Sequence, residues 1–256
     1  MAMRSYAGFL AFGALVIGAA VYGLFAQPAP TSGTADTVAS TQKPIVTRSK
    51  PKTEDSQSGA KPTVPAGDGF DFYVLSLSWS PTFCQSNGAA RNRDQCGPGK
   101  RFGLIVHGLW PQYERGYPES CPTNQPQQVP IGIGRSMMDI MPGMGLIGHQ
   151  WRKHGTCSGL AMADYFSVLR QAFETVRIPQ TLVRPGPQQR TSPQALEDAL
   201  IKSNPGLSRS AVAVTCDSQR LDEVRICFSK ALDFRACPEV DANACRRSKL
   251  TIPPAP

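Results

Sequence analysis

Residues 70–79 read FDFYVLSLSW, an alternating pattern that is typical of a β-strand. The large side chains of Tyr73, Leu75, Leu77 and Trp79 recur at every second position, and two serines lie between the last three. Because successive side chains of a strand point to opposite faces, this period of two predicts one apolar face and one polar face. The folded part of the chain is therefore expected to contain a sheet.

Strands and helices follow this segment in no regular order. A second strand is predicted over 101–106 and leads into HGLWP, where Pro111 is expected to end the pairing and to leave His107 at the strand end. Further elements are predicted as helices at 162–176 and 193–202, the second capped by Ser192, and as strands at 211–215 and 224–229. This mixture predicts the α+β class.

The composition points to an anionic partner. The chain has 256 residues and a formal net charge of +8, and its 41% hydrophobic content argues against a wholly disordered protein. Most of the positive charge lies in residues 69–256. A basic folded region suits nucleic acid or an acidic membrane surface, although the charge says nothing about the fold.

The first 68 residues differ from the rest. Residues 6–25 are uncharged and follow the single basic residue Arg4, so 1–26 is expected to be a cleaved signal peptide or a retained membrane anchor. Residues 27–68 contain six prolines and twelve serines or threonines but no aromatic residue, which predicts a disordered linker. Residues 69–256 are then a single folded domain with an extracytoplasmic location, periplasmic or secreted.

Eight cysteines all lie between Cys84 and Cys245. An even number favours disulfides formed in an oxidising compartment. The alternative, a zinc site, needs closely spaced cysteines, and the closest two here are Cys237 and Cys245. Eight cysteines allow 105 pairings, so the spacing alone does not select one.

The chain has three histidines, and all lie in two short stretches. His107 belongs to HGLWPQY, whereas His149 and His154 belong to GHQWRKHGTC. Imidazole exchanges protons near neutral pH, so these stretches are the candidate catalytic segments.

The second stretch is expected to form a helical turn that ends with Gly155 at the C′ position. Residues four apart then share a face, which pairs His149 with Lys153 and Gln150 with His154. Neither stretch contains Asp or Glu, so the sequence predicts a site without a carboxylate.

Two imidazoles beside a lysine, with no protein nucleophile, suit a substrate that attacks itself. RNA does so through its 2′-hydroxyl: one imidazole removes the proton, a second protonates the leaving 5′-oxygen, and a 2′,3′-cyclic phosphate results. DNA lacks this hydroxyl and is expected to be inert. A three-histidine metal site is the alternative, but His149 and His154 are about 140° apart around a helix, which suits shared ligation poorly.

These stretches closely resemble the two catalytic segments of the ribonuclease T(2) family, and FYVLSLSWSPTFC resembles the first strand of its bacterial members. The resemblance covers about residues 69–256. It implies a disulfide-stapled α+β domain with a central antiparallel sheet flanked by helices, and it implies no metal and no cofactor.

The resemblance also implies roles for individual residues. His107 matches the family's general acid, His154 the general base and His149 a phosphate-binding histidine. Lys153 matches the lysine that stabilises the transition state, and Trp110 matches an aromatic residue of the base site.

Two residues depart from the family pattern. Gln150 stands where the family usually has glutamate; its amide retains a hydrogen-bonding group but removes a charge, and activity is expected to survive. Gln112 stands where many relatives have Asp or another small polar residue beside the base, so no base preference is transferred.

The family's cysteine pattern implies four disulfides, and the first of them would hold the two catalytic segments together. They are Cys121–Cys157, Cys227–Cys237, Cys216–Cys245 and, by remainder, Cys84–Cys96.

Two functional hypotheses follow. The first is an exported, metal-independent, monomeric endoribonuclease that acts on single-stranded RNA, not on DNA, and that residues 6–25 could anchor to a membrane. The second is an RNA-binding or signalling protein that has the same fold but whose catalysis is weakened by Gln150.

Overall fold

The computed structural model describes residues 64–88, 92–184 and 186–254. The strands are β1 Phe72–Trp79, β2 Leu104–Gln112, β3 Gln189–Thr191, β4 Val212–Asp217, β5 Arg220–Phe228 and β6 Leu250–Ile252. The α-helices are α1 Ser80–Phe83, α2 Arg93–Cys96, α3 Ile131–Arg135, α4 Met144–Lys153, α5 Met162–Thr175, α6 Gln180–Val183, α7 Pro193–Ser203 and α8 Pro238–Ala242. A π-helical turn lies at Cys84–Gly88, and 3₁₀ turns lie at Gly155–Cys157 and Arg209–Ala211.

The amino-terminal predictions concern residues that the structure does not describe. The signal peptide or anchor at 1–26 and residues 27–63 of the linker lie outside the described ranges. Val64 packs against the main core, and the backbone N–H of Asp68 donates to Ser158 O at 2.9 Å. Residues before 69 therefore contribute to the packing of the domain. Within the described ranges, no helix has the length and apolar character needed to cross a membrane.

The sheet has six strands in the order β2-β1-β5-β6-β3, and β4 also pairs with β5. β1 is antiparallel to both β2 and β5, and β4 is antiparallel to β5. The predicted α+β fold with a central antiparallel sheet is confirmed. One contact differs, because β5 and β6 meet in parallel at Arg220 and Thr251 and make the sheet mixed.

β1 is the predicted strand, and its apolar face forms the centre of the main core. Tyr73, Leu75, Leu77 and Trp79 are completely buried there, together with side chains from α4 and α5. The opposite face is also covered, so that Ser76 is as fully buried as the apolar residues. Phe72 and Val74 share this face with Ser76, and they pack in a second, smaller apolar cluster with Cys227 and Cys237.

The second strand is longer than the sequence predicts. β2 continues through Pro111, which pairs with Tyr73, and it ends at Gln112, so the expected end of pairing at the proline is wrong. β2 is the first strand in the sheet order, and an edge strand tolerates the missing N–H of a proline. His107 consequently lies inside β2 and not at its end.

The later predicted elements are present with shifted bounds. α5 and α7 occupy the predicted helical segments, and the Ser192 hydroxyl accepts a hydrogen bond from the N–H of Ala195. β4 and β5 occupy the predicted strand segments, but β5 begins at Arg220, four residues earlier than expected. This extension brings Glu223 into the sheet.

α4 ends differently from the prediction. The helix stops at Lys153, His154 follows as the capping residue, and Gly155 opens a 3₁₀ turn in place of a left-handed C′ position. A glycine is still needed, because a Cβ at this position would lie 2.4 Å from the Trp151 ring and 2.9 Å from the Tyr165 ring.

The structure contains four disulfides, which are the four pairs implied by the family resemblance. They are Cys84–Cys96, Cys121–Cys157, Cys216–Cys245 and Cys227–Cys237. The second of them joins the loop after β2 to the turn after α4, so it ties the segment that follows the first histidine stretch to the last residue of the second stretch.

Candidate active site

A cleft of about 290 Å³ lies on the face of the sheet opposite the main core, where α4 meets strands β1, β2 and β5. All seven residues predicted from the two histidine stretches line it. They are His107, Trp110, Gln112, His149, Gln150, Lys153 and His154. Val74, Tyr117, Arg225 and Val240 complete the lining.

His107 reaches the cleft from an irregularity in β2. Ser76 of β1 pairs with Gly108, and the next residue, Leu77, pairs with Val106, so His107 is an extra residue in the ladder. A β-bulge of this kind re-aims a side chain and is common beside functional sites. The His107 side chain is 37% exposed.

The Nδ1 atom of His107 lies 2.5 Å from Oε1 of Glu223, a buried carboxylate on β5. The other oxygen, Oε2, accepts hydrogen bonds from Arg225 Nε at 2.9 Å and Nη2 at 2.8 Å. Burial alone would raise the pKa of Glu223, but the hydrogen bonds and charges of His107 and Arg225 outweigh it and lower the pKa to about 2. The carboxylate is therefore ionised at neutral pH.

The expectation of a site without a carboxylate is thus wrong. Glu223 and Arg225 come from a strand that the sequence prediction began one residue too late to include the glutamate. The spacing of these two residues is the signal that the sequence offers, whereas their register against β1 is known only from the structure. The two are two residues apart, which puts them on one face of a strand, and they pair across the sheet with Ser78 and Ser76, the serines that mark the polar face of β1.

His154 has the opposite environment. It is 6% exposed, and burial, followed by the charges of Lys153, His107 and His149, lowers its pKa to about 3. Its Nδ1 is buried without a hydrogen-bond partner in the described part of the chain, which leaves Nε2 as the nitrogen able to meet a substrate. At neutral pH His154 is an uncharged imidazole that can accept a proton.

Trp110 lies between the two imidazoles. Its ring centroid is 5.3 Å from that of His107, edge to face, and 5.1 Å from that of His154, in a stacked arrangement. The guanidinium of Arg225 lies over the same indole at 5.3 Å from its centroid.

Gln150 fixes the orientation of this indole. It is 1% exposed, and its Oε1 accepts a hydrogen bond from Trp110 Nε1 at 2.9 Å. The absence of a side chain at Gly108 makes room for the pair, because a Cβ there would lie 2.0 Å from Gln150 Oε1 and 2.5 Å from Trp110 Nε1. Gln150 is therefore a buried residue that holds the Trp110 ring in place, and its Oε1 already accepts the hydrogen bond from the indole.

His149 and Lys153 lie together at the outer rim, as the spacing of four predicts. Both also line a second cleft of about 610 Å³, which contains Arg152 and the loop residues Ser120 and Pro122 among its walls. Burial, followed by the charge of Lys153, lowers the pKa of His149. Lys153 and Arg152 make this rim basic.

Glu119 is a second carboxylate that the sequence did not reveal. Its Oε2 lies 3.2 Å from the ammonium of Lys153, and both side chains are well exposed to solvent. An exposed pair of this kind is weak, so the lysine can exchange this partner for an anionic substrate.

Gln112 also lines the cleft. Its side-chain amide donates to the carbonyl of Pro111 at 3.0 Å, and the residue is buried. Within the described ranges, no group of three or more His, Cys, Asp and Glu side chains is arranged to hold a metal ion.

The fold and the cleft together define a disulfide-bonded α+β protein with an imidazole pair, a lysine and an aromatic ring around one basic site. The Ribonuclease T2 family model matches residues 70–237, well over half of the chain, and the chain belongs to this family.

Individual relatives agree with this assignment. The chain is 42% identical to a ribonuclease of Aeromonas hydrophila over 108 residues, 41% of this chain and 47% of that one. It is 28% identical to a probable ribonuclease of Haemophilus influenzae over 179 residues, 65% of this chain and 61% of that one. The matches thus span about half to three fifths of the length of these relatives.

An RNase-related protein from Calystegia sepium has the same fold. Its structure matches with a TM-score of 0.59 at 22% sequence identity, and the match covers 74% of this chain and 100% of that chain.

Proposed function

We propose that this protein is an exported, metal-independent endoribonuclease that cleaves single-stranded RNA and leaves 2′,3′-cyclic phosphate ends. The observation that carries the proposal is that His107 and His154, 47 positions apart in sequence, line one cleft beside Lys153. Membership of the Ribonuclease T2 family supports it independently.

The contrast between the two imidazoles supports an assignment of roles. His154 is uncharged, and its Nε2 accepts the proton of the 2′-hydroxyl as the oxygen attacks phosphorus. His107 has an ionised carboxylate beside it; in its protonated form it delivers the Nε2 proton to the 5′-oxygen as the bond from phosphorus to that oxygen breaks. A buried, uncharged imidazole opposite an imidazole that is hydrogen-bonded to a carboxylate suits a base and an acid.

The rim residues complete the proposed mechanism. Lys153 and His149 would bind the phosphoryl oxygens, where negative charge accumulates in the transition state. Trp110 would contact the base, next to the Arg225 guanidinium that lies over its indole. Every step uses groups of the chain and the substrate, so no metal is required.

Export is proposed from two observations. Four disulfides suit an oxidising compartment, and residues 1–26 have the character of a signal peptide or anchor. The proposed domain division is 1–26, a linker that begins at 27, and a catalytic domain that includes the packed residue Val64 and that we take to act as a monomer.

The test is RNA cleavage by the purified protein in excess EDTA, with the product ends identified by mass spectrometry. Wild-type protein should release fragments with 2′,3′-cyclic phosphate, whereas 2′-O-methyl RNA and DNA of the same sequence should remain intact. His107→Ala and His154→Ala should each lower kcat/KM by about 10² to 10⁴, the usual contribution of a general acid or base.

Two outcomes would refute the proposal. Cleavage that stops in EDTA would favour metal-assisted hydrolysis. A folded wild-type protein that binds RNA without cleaving it would favour the binding or signalling alternative.

A further inference from the structure

The hydrogen bond between His107 and Glu223 joins side chains 116 residues apart in sequence. The Glu223 side chain is 7% exposed, and each of its oxygens has one dedicated partner. The backbone of Glu223 is also fixed, because its N–H donates a hydrogen bond to the Thr215 hydroxyl at 3.1 Å. The carboxylate is therefore held in one orientation before any substrate binds.

We propose that Glu223 is the positioning residue for His107: it accepts the Nδ1 proton, fixes the tautomer, and turns Nε2 towards the scissile phosphate as the proton donor. This inference rests on the proposed ribonuclease function and deepens it. Glu223 does not touch the substrate, since it acts through the imidazole.

The geometry assigns this role to a carboxylate in particular. A carboxylate only accepts hydrogen bonds, so Nδ1 must carry a proton in both charge states of the ring. Nε2 is then the nitrogen that gains and loses the catalytic proton. An amide at the same position could accept from Nδ1–H or, after rotation, donate to an unprotonated Nδ1, and it carries no charge to match that of an imidazolium.

The remaining partners explain why Glu223 cannot turn away from the ring. Arg225 holds Oε2 through two of its nitrogens, and the same guanidinium lies over the Trp110 ring. If Glu223 served only to neutralise Arg225, Oε1 would not need to lie 2.5 Å from the imidazole. Trp110, Arg225, Glu223 and His107 form one continuous network along the cleft face of the sheet.

The charged and titratable groups around His107 come from two sides. Glu223 and Arg225 approach from β5, and His149, Lys153 and His154 approach from the end of α4. The carboxylate of Glu223 is the anionic member of this set, which is why its removal is the informative substitution.

The first experiment compares Glu223→Gln with Glu197→Gln in the full-length protein. Glu197 is a matched control, because it is also a buried glutamate paired with an arginine, Arg209, and it lies outside the cleft. We expect kcat on a dinucleotide to fall about 10²-fold or more in Glu223→Gln with little change in KM, the scale of a lost general acid. Glu197→Gln should retain wild-type kcat.

The second experiment separates proton donation from structural support. A nucleoside 3′-(4-nitrophenyl phosphate) releases 4-nitrophenolate, which needs no proton, so the defects of His107→Ala and Glu223→Gln should shrink to a few-fold on this substrate. The defect of His154→Ala should persist. The double variant His107→Ala/Glu223→Gln should be no slower on the dinucleotide than His107→Ala, because the two residues act as one unit.

Several results would overturn the proposal while leaving the ribonuclease function intact. These are wild-type kcat in Glu223→Gln, an equal defect on both substrates, or an additive loss in the double variant. If Glu223→Gln does not fold, as judged by its thermal unfolding, Glu223→Asp gives the same test, because its shorter side chain retracts from His107 but keeps the charge. An inactive wild-type protein would instead refute the proposed function itself.

Discussion

His154 should make the folded protein lose stability as the pH falls from 7 to 5. Its imidazole is buried, and its pKa of about 3 lies well below the ordinary value of 6.5. The unfolded chain therefore binds a proton near pH 6.5 that the folded protein takes up only near pH 3. Between these values the unfolded state binds more protons, so a fall in pH favours unfolding.

The magnitude follows from this difference in proton binding. One extra proton in the unfolded state corresponds to a slope of about 1.36 kcal/mol per pH unit, and integration from pH 7 to pH 5 gives a loss of about 2 kcal/mol. The pKa of Glu223 is about 2 in the folded state, and its unfolded value is near 4.5, so this carboxylate contributes little to the slope above pH 5.

The assay is urea unfolding at pH 7, 6 and 5 without reductant, for wild type and for His154→Phe. Phenylalanine keeps an aromatic ring against Trp110 and cannot titrate. The free energy of unfolding of wild type should fall by about 2 kcal/mol more than that of the variant over this range. Parallel curves for the two proteins would refute the reasoning, as would an NMR titration of His154 with a midpoint near pH 6.5.

Two further substitutions test features around the cleft. Gly108→Ala should lower the free energy of unfolding by about 1 to 3 kcal/mol, because the new Cβ forces apart the Gln150 and Trp110 side chains. A thermal unfolding midpoint equal to that of wild type would contradict the close packing at this position. Replacing Cys121 and Cys157 together by serine should lower the free energy of unfolding by about 4 kcal/mol, the chain-entropy expectation for a loop of 36 residues. Urea unfolding measures this loss, and a value below about 1 kcal/mol would mean that the disulfide restricts the unfolded chain very little.

The sequence predicts the elements whose signals are local. β1 has a strict period of two, and α5 and α7 have helical spacing with recognisable ends, so the structure differs from these predictions by only a residue or two. The histidine stretches could also be identified from the sequence, because all three imidazoles of the chain lie in two short segments.

The carboxylate partner of His107 depends on strand pairing, which no local pattern specifies. Residues 220–225 read RLDEVR, a charged stretch that resembles a surface loop, yet it forms the first part of β5. Its register against β1 decides that Glu223 falls on the cleft face. Glu119 was missed for a related reason, because it reaches Lys153 from a loop that a disulfide ties back across the site.

The extra residue in β2 determines which side chains of this strand face the cleft and which face the core. In a regular strand, positions separated by an odd number lie on opposite sides, so His107 and Trp110, three apart, could not both face the cleft while Val106 and Leu109 both enter the core. The bulge resets the count at a single position. Without the bulge, either the imidazole would enter the hydrophobic interior or the aliphatic residues would enter the cleft. The HGLW segment can therefore place both His107 and Trp110 in the cleft only because β2 contains one extra residue.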